Sequence, residues 1–308
     1  MRLKIIGSAA GGGFPQWNCN HPLSRAARQG KTGVRSRTQS SLAASADGRN
    51  WVLFNASPDI RQQIGATAEL QPAADGPSRA TPIAAVVLTN GEVDHVAGLL
   101  SLRERQPFAL YAARPVLDAL ESNPILSVLD PAIVPRRELS PGKETEIRNA
   151  AGEPTGVKIE SFSVPGKVPL YLEGDDPASP RNDGETIAVR IFADGSGSAF
   201  YVPGCAYVEA DLKSRLTGAQ CLMFDGTVYT DDEMIRAGVG EKTGARMGHI
   251  AMTGEKGAVA SLADVSIKRR IFVHINNTNP VLDENSPEHA EVQAAGWEVA
   301  FDGMEVTL

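Results

Sequence analysis

Apolar residues in this chain come in short runs closed by glycine, proline or a polar residue, the pattern of buried strands. Leu3 to Ile6 reads as a strand running into Gly7 to Gly13, which needs positive dihedrals or close backbone approach. Phe14 to His21 follows as a loop with aromatic anchors. Arg37 to Ser45 and Trp51 to Asp59 read as a hairpin joined at Asp47-Gly-Arg-Asn50, and Asp59 to Ile64 opens a helix. The Val86 run is a strand, and apolar residues resume at helical spacing from Val96, so Asp94 and His95 fall in a strand-to-helix turn. Phe108 to Ala112 and Arg114 to Glu121 repeat strand then helix, with proline in the helix's first turn. Between 142 and 165 lie strand-like pieces such as Val157 to Val164. Residues 165 to 185 are rich in Pro, Gly and Asp and read as a lid or a surface loop. Ile187 to Phe192, Ala199 to Pro203, Cys221 to Asp225 and Ile271 to Ile275 are four more strands, with helical stretches at Asp232 to Ala237 and Gly254 to Leu262. Two runs of strands followed by helices fit an α/β sandwich of two sheets covered by helices.

Composition narrows the function. With 308 residues, 42% hydrophobic, the chain can bury one large core or two modest ones. A net charge of -7 without a basic block argues against a nucleic-acid partner. No apolar run reaches membrane length and no signal-peptide pattern opens the chain, so a cytoplasmic location without membrane contact is expected. Cys19, Cys205 and Cys221 are too few and too scattered for a disulfide framework, which fits a reducing compartment.

The chemistry concentrates at strand ends. Asp94 and His95 after the Val86 run are a candidate metal or acid/base pair, the alternative being a helix cap. Asp225 ends one strand, His274 follows Ile271-Phe-Val, and His249 lies in a glycine-rich turn. A carboxylate and imidazoles so placed are the parts of a divalent-metal site, although a single such histidine is more often structural. Cys19 and His21 could be half of a structural zinc site, but no second pair lies nearby in sequence.

The frame Thr89-Asn-Gly-Glu-Val-Asp-His-x-x-Gly98 resembles the metallo-β-lactamase superfamily signature Thr-His-x-His-x-Asp-His-x-x-Gly, with Asn90 and Glu92 in place of its first two histidines. That resemblance implies a metallo-β-lactamase-like αββα four-layer sandwich, 1-308 as one domain. Asp225 and His274 match the superfamily's later metal residues, and His249 the extra histidine of its phosphoesterase branches. Longer phrases are similar to one family, the coenzyme PQQ synthesis protein B family: Gly7 to Asn20, Arg37 to Ser41, Asn55 to Arg61, Asp225 to Thr227 and His274 to Pro280. Many members carry Cys-x-Cys-x-x-Cys from the position of Cys19, where this chain has His21 and Ser24 in the next two places.

The family resemblance implies an enzyme of pyrroloquinoline quinone (PQQ) biosynthesis that hydroxylates the tyrosine ring of a glutamate-tyrosine-derived precursor with dioxygen. One divalent metal is then expected on Asp94, His95, His274 and Asp225, Fe(II) in function with zinc able to replace it. His249 is the expected catalytic group. Asn90, Glu92, Asn276, Asn277, Ser57 and Asp59 are the candidates for substrate contacts. Two histidines and a carboxylate with open positions suit oxygen chemistry, whereas hydrolysis in this superfamily draws on two metals. A zinc-dependent hydrolase and a non-catalytic carrier of PQQ or its precursor stay open, as does a homo-oligomer.

Overall fold

The computed structural model describes residues 1–174 and 179–308. Arg2–Gly7 (β1), Ser41–Ser45 (β2), Trp51–Phe54 (β3), Ile83–Val87 (β4), Ala109–Ala112 (β5) and Arg136–Glu138 (β6) build the first sheet. Glu144–Arg148 (β7), Pro154–Ser163 (β8), Ile187–Phe192 (β9), Ser198–Val202 (β10), Cys221–Asp225 (β11), Arg270–Val273 (β12) and Trp297–Val299 (β13) build the second. Met304–Thr307 (β14) then returns to pair with β1. The strand orders are β14-β1-β2-β3-β4-β5-β6 and β13-β12-β11-β10-β9-β8-β7.

The period of two places the layers. In β2, Leu42 and Ala44 face the second sheet while Ala43 faces outward; in β3, Val52 and Phe54 face in and Trp51 and Leu53 out. In β11, Cys221 and Met223 share that same inner core, and Leu222 and Phe224 point to the other side. The outer face of the first sheet is covered by Ile60–Ala66 and Arg114–Ser122, that of the second by Ala210–Leu216 and Pro287–Ala294. This is the four-layer αββα metallo-β-lactamase fold.

Each sheet repeats one plan, three antiparallel pairings followed by three parallel ones. Parallel strands release their loops at one edge, the position where open α/β sheets carry ligands. The loops after β4, β11 and β12 meet there.

Several expectations change. Asp94 and His95 lie inside a short helix, Val93–Val96, rather than before one, and the next turns, Ala97–Leu102, are a tighter 3-10 helix. The 232 to 237 and 254 to 262 stretches shrink to Glu233–Arg236 and Ala258–Ser261. Phe14 is buried as an anchor, but Trp17 is 86% exposed and anchors nothing. A helix at Pro22–Arg28 follows that loop, its start set by proline. In the 165 to 185 loop, Asp175 to Ala178 lie outside the described residues. Its described part contains the turn Leu170–Leu172 and packs on the β4 loop, where the Tyr171 hydroxyl donates to the Gly91 carbonyl at 2.9 Å. No described helix is long and apolar enough to cross a membrane.

Candidate metal centre

The loop leaving β4 sets His95. Its Nδ1 lies 2.6 Å from Asn90 Oδ1, which also accepts the Glu92 N–H at 3.0 Å. An oxygen already accepting a backbone N–H is the amide carbonyl, so the proton of this pair belongs to His95 Nδ1. In neutral imidazole the lone pair is then on Nε2, and that atom is buried with no hydrogen-bond partner. Burial pushes the imidazole pKa down to about 4, so the ring stays neutral. A buried acceptor without a donor is costly, and with Asp94 and His274 beside it a cation would satisfy it. Asn90 therefore acts through His95 rather than as a ligand in place of the superfamily's first histidine.

The second sheet supplies the facing groups. His274, just past β12, has φ +57, a conformation a non-glycine residue holds only when its surroundings impose it. The Thr227 hydroxyl in the β11 loop contacts both ends of the residue: its oxygen is 2.8 Å from His274 Nδ1, and it lies 3.0 Å from the His274 carbonyl. With Nδ1 so engaged, His274 Nε2 points at Asp94 Oδ2, 3.0 Å away. Burial by itself raises the Asp94 pKa; the adjacent His95 and His274 imidazoles overcome it and hold the carboxyl below the usual range. The His95 and His274 rings meet edge to face with centroids 5.4 Å apart.

Asp225, at the end of β11, is fully buried. Oδ1 accepts from the Thr227 N–H and hydroxyl, and Oδ2 accepts from the Cys205 N–H and from His249 Nδ1 at 2.7 Å. These contacts orient its neighbours. Burial lowers the His249 pKa, but the charge of Asp225 and their hydrogen bond reverse that, so the net shift is upward. His249 stacks on His274 at 5.0 Å and lines the cleft. Two donor triads thus share His274: Asp94 with His95, and Asp225 with His249, each set within 4.8 Å.

A cleft of about 730 Å³ opens on these groups. Asn90, Glu92, Asn276 and Asn277 line it. Ser57 and Asp59 do not. Ser57 is fully buried with its hydroxyl on Gln63, and Asp59 accepts from the backbone and side chain of Gln39, so both brace the site from behind. Cys19 also lines the cleft, donating to Asn277 Oδ1 at 3.1 Å and accepting the His21 N–H. No third His, Cys, Asp or Glu joins Cys19 and His21 as a metal-binding group among the described residues, so the structural zinc lacks its donor set. His289 is structural, with Nδ1 2.7 Å from the Val281 carbonyl.

Residues 50–275 match the family described as Beta-lactamase superfamily domain. A coenzyme PQQ synthesis protein B of Gluconacetobacter diazotrophicus is 52% identical over 306 residues, covering 99% of each chain. One from a Methylobacterium species is 55% identical over 308 residues, covering 100% of each. The chain belongs to the coenzyme PQQ synthesis protein B family. The crystal structure of Zn(2+)-bound PqqB from Methylobacterium extorquens, 52% identical, superposes over 100% of both chains with a TM-score of 0.95. A diphosphatase of the PhnP family, at 20% identity, TM-score 0.69 and 99% and 97% coverage, shares the fold.

Within this family frame, sequence reasoning overlooked Thr227 and Asn55. Thr227 stands in the quoted Asp-Gly-Thr phrase, but its role comes from touching residues 22 and 47 positions away. Asn55 has φ +65, and its Oδ1 accepts the Thr89 N–H, tying the end of β3 to the loop that carries His95. An asparagine just past a strand was the available signal, since Asn tolerates that backbone conformation.

Proposed function

We propose that this chain is a metal-dependent enzyme of PQQ biosynthesis, hydroxylating the tyrosine ring of a glutamate-tyrosine-derived precursor with dioxygen. The observation that carries the reading is the uncommitted, buried Nε2 of His95 beside Asp94 and His274. These three residues would hold one divalent ion, Fe(II) in function. Zinc suits the same donors, and the Methylobacterium extorquens relative is a zinc-bound protein. Bound there, Fe(II) would supply a Lewis-acidic, redox-active centre with positions open to dioxygen and a substrate oxygen.

The chain's own residues do the rest. Asn90 and Thr227 fix the tautomers of His95 and His274. His249, its Nδ1 proton held by Asp225, presents Nε2 as the group that accepts a proton from the ring or the phenol. Glu92, whose carboxyl burial and then Asp94 push above its ordinary range, offers a hydrogen bond to a substrate hydroxyl or amine. The turn at Leu170–Leu172 is held against the β4 loop by the Tyr171 hydroxyl on the Gly91 carbonyl. A second reading, hydrolysis with two metals, draws on the second triad of Asp225, His249 and His274.

Oxygen uptake by the anaerobically Fe(II)-loaded protein, with ascorbate as reductant and glutamyl-tyrosine as probe, tests this. Uptake should require iron, yield a ring-hydroxylated product with the second oxygen atom released as water, and vanish in His95→Ala. Peptide cleavage by the zinc-loaded protein, with no iron-dependent uptake, would overturn it in favour of hydrolysis.

A further inference from the structure

Among the described residues, one part of the cleft wall gathers three cations around a single carboxylate. Lys167 Nζ lies 2.6 Å from Glu173 Oε1, Arg246 Nη1 3.6 Å from the same oxygen, and Lys242 Nζ 3.9 Å from Oε2. Three cations therefore share one carboxylate. The Lys167 and Glu173 side chains are only 10% and 9% exposed, and Arg246 Nη1 is buried without a hydrogen-bond partner. Lys167 and Lys242 line the cleft. Glu92, a further carboxylate on the cleft, accepts the Leu170 N–H and forms no ion pair with either lysine among the described residues.

Like charges gathered around one carboxylate repel, most at the buried Lys167, and a buried guanidinium nitrogen without an acceptor costs free energy. Surface lysines would spread into solvent. These are gathered instead, and the Lys167 stem packs against Gly248, whose φ of +86 ends the turn immediately before His249. A second anion at this wall would balance the surplus, and the cleft is the space that admits one.

We infer that Lys167, Lys242 and Arg246 form a carboxylate-binding wall, with Glu173 holding the three cations together until a substrate carboxylate docks on the two lysines. The inference rests on the proposed occupancy of the cleft by a glutamate-tyrosine-derived precursor and deepens it. Such a precursor is selected by its carboxylates, while its phenol ring is directed to the metal-binding residues. Charge-assisted hydrogen bonds supply the discrimination.

Calorimetric titration of zinc-loaded protein with glutamyl-tyrosine and with its diamide reads this directly. The wild type should favour the dicarboxylate by about tenfold or more, the scale of one charge-assisted bond. Lys242→Met should largely erase that preference while leaving the diamide Kd and the zinc count unchanged. The double variant Lys167→Met, Glu173→Gln should do the same, because it removes the lysine without stranding a buried carboxylate. No preference in the wild type, an undiminished preference in both variants, or equal loss of both ligands would overturn the wall. Preference lost in the variants, with no oxygen uptake by iron-loaded wild type, would uphold the wall and sink the hydroxylase reading. Uptake with an undiminished preference would do the reverse.

Discussion

Asn90 stands where the superfamily signature has a histidine, yet its contribution runs through the next ligand. Replacing it with Ala removes the acceptor that keeps the proton on His95 Nδ1, although Asp94, His95 and His274 all remain. Asn90→Ala should weaken metal affinity by about 10- to 100-fold, measured by competition with a chromophoric chelator, and Asn90→Asp should retain most of it. An unchanged affinity in the alanine variant would show that something else fixes the ring. His249→Ala separates proton transfer from structure: metal content and Tm should stay near wild type while product formation falls by about 100-fold or more. Parallel loss of stability and turnover would make it a core histidine. At this scale the residue types were readable, because several Asp and His at strand ends together are the parts of a metal site even though one alone is more often structural. Partnerships were not. Ser57 and Asp59 share a conspicuous phrase with Asn55, but only packing reveals that Asn55 braces the metal loop while the other two support the backbone behind it.

Gly98 shows how one element fixes another. The 3-10 turn Ala97–Leu102 runs against the end of β3, the Gly98 N–H donates to the Ala56 carbonyl at 2.9 Å, and a Cβ at Gly98 would overlap the carbonyl oxygens of Ser57 and Ala56. Gly98→Ala must push the His95 helix away from β3, costing about 3 kcal/mol or more and lowering metal affinity with it. Equilibrium unfolding in urea measures the first, and a variant as stable as wild type would contradict the close approach. Glu233 joins the Glu233–Arg236 helix to the loop after β12 through the Thr278 hydroxyl at 2.6 Å, and to the loop after β11 through the Tyr229 N–H. Burial outweighs those hydrogen bonds and pushes its carboxyl up to about 7 from 4.5. The folded chain thus holds the proton more tightly than the unfolded one, and this stabilisation, about 3 kcal/mol, is complete below pH 4.5 and lost as pH rises through 7. Urea unfolding of Glu233→Gln should accordingly change less between pH 5 and about 8 than that of wild type; identical slopes would refute the assignment. The strands that escaped the hydrophobic pattern are informative. β6, β13 and β14 are edges of the two sheets, and β7, the remaining edge, was anticipated only as part of 142 to 165. Edge strands carry charged residues that block further pairing, so Arg136-Arg-Glu and Glu144-Thr-Glu-Ile-Arg lack a continuous apolar run. The central strands, buried on both faces, announced themselves.

At the scale of the molecule, the two sheets repeat one plan and meet at the site. The first contributes Asp94 and His95, the second Asp225, His249 and His274, and the contact between Asp94 and His274 crosses the seam. The layered architecture could be anticipated because the chain alternates apolar runs with helices twice over, whereas the convergence of loops 180 positions apart needed the tertiary structure. An ion held by Asp94, His95 and His274 would tie the halves together, so a saturating divalent metal should raise Tm and a chelator reverse the rise. His274→Ala should abolish that response. The central claim is that the substitutions at positions 90 and 92 leave one metal position where the superfamily signature supports two. Elemental analysis of protein reconstituted anaerobically with excess Fe(II) and freed of unbound ion tests it most directly. The account predicts about one iron per chain in the wild type and near zero in His95→Ala. Two metals per chain, with the second lost in Glu92→Gln, would contradict it.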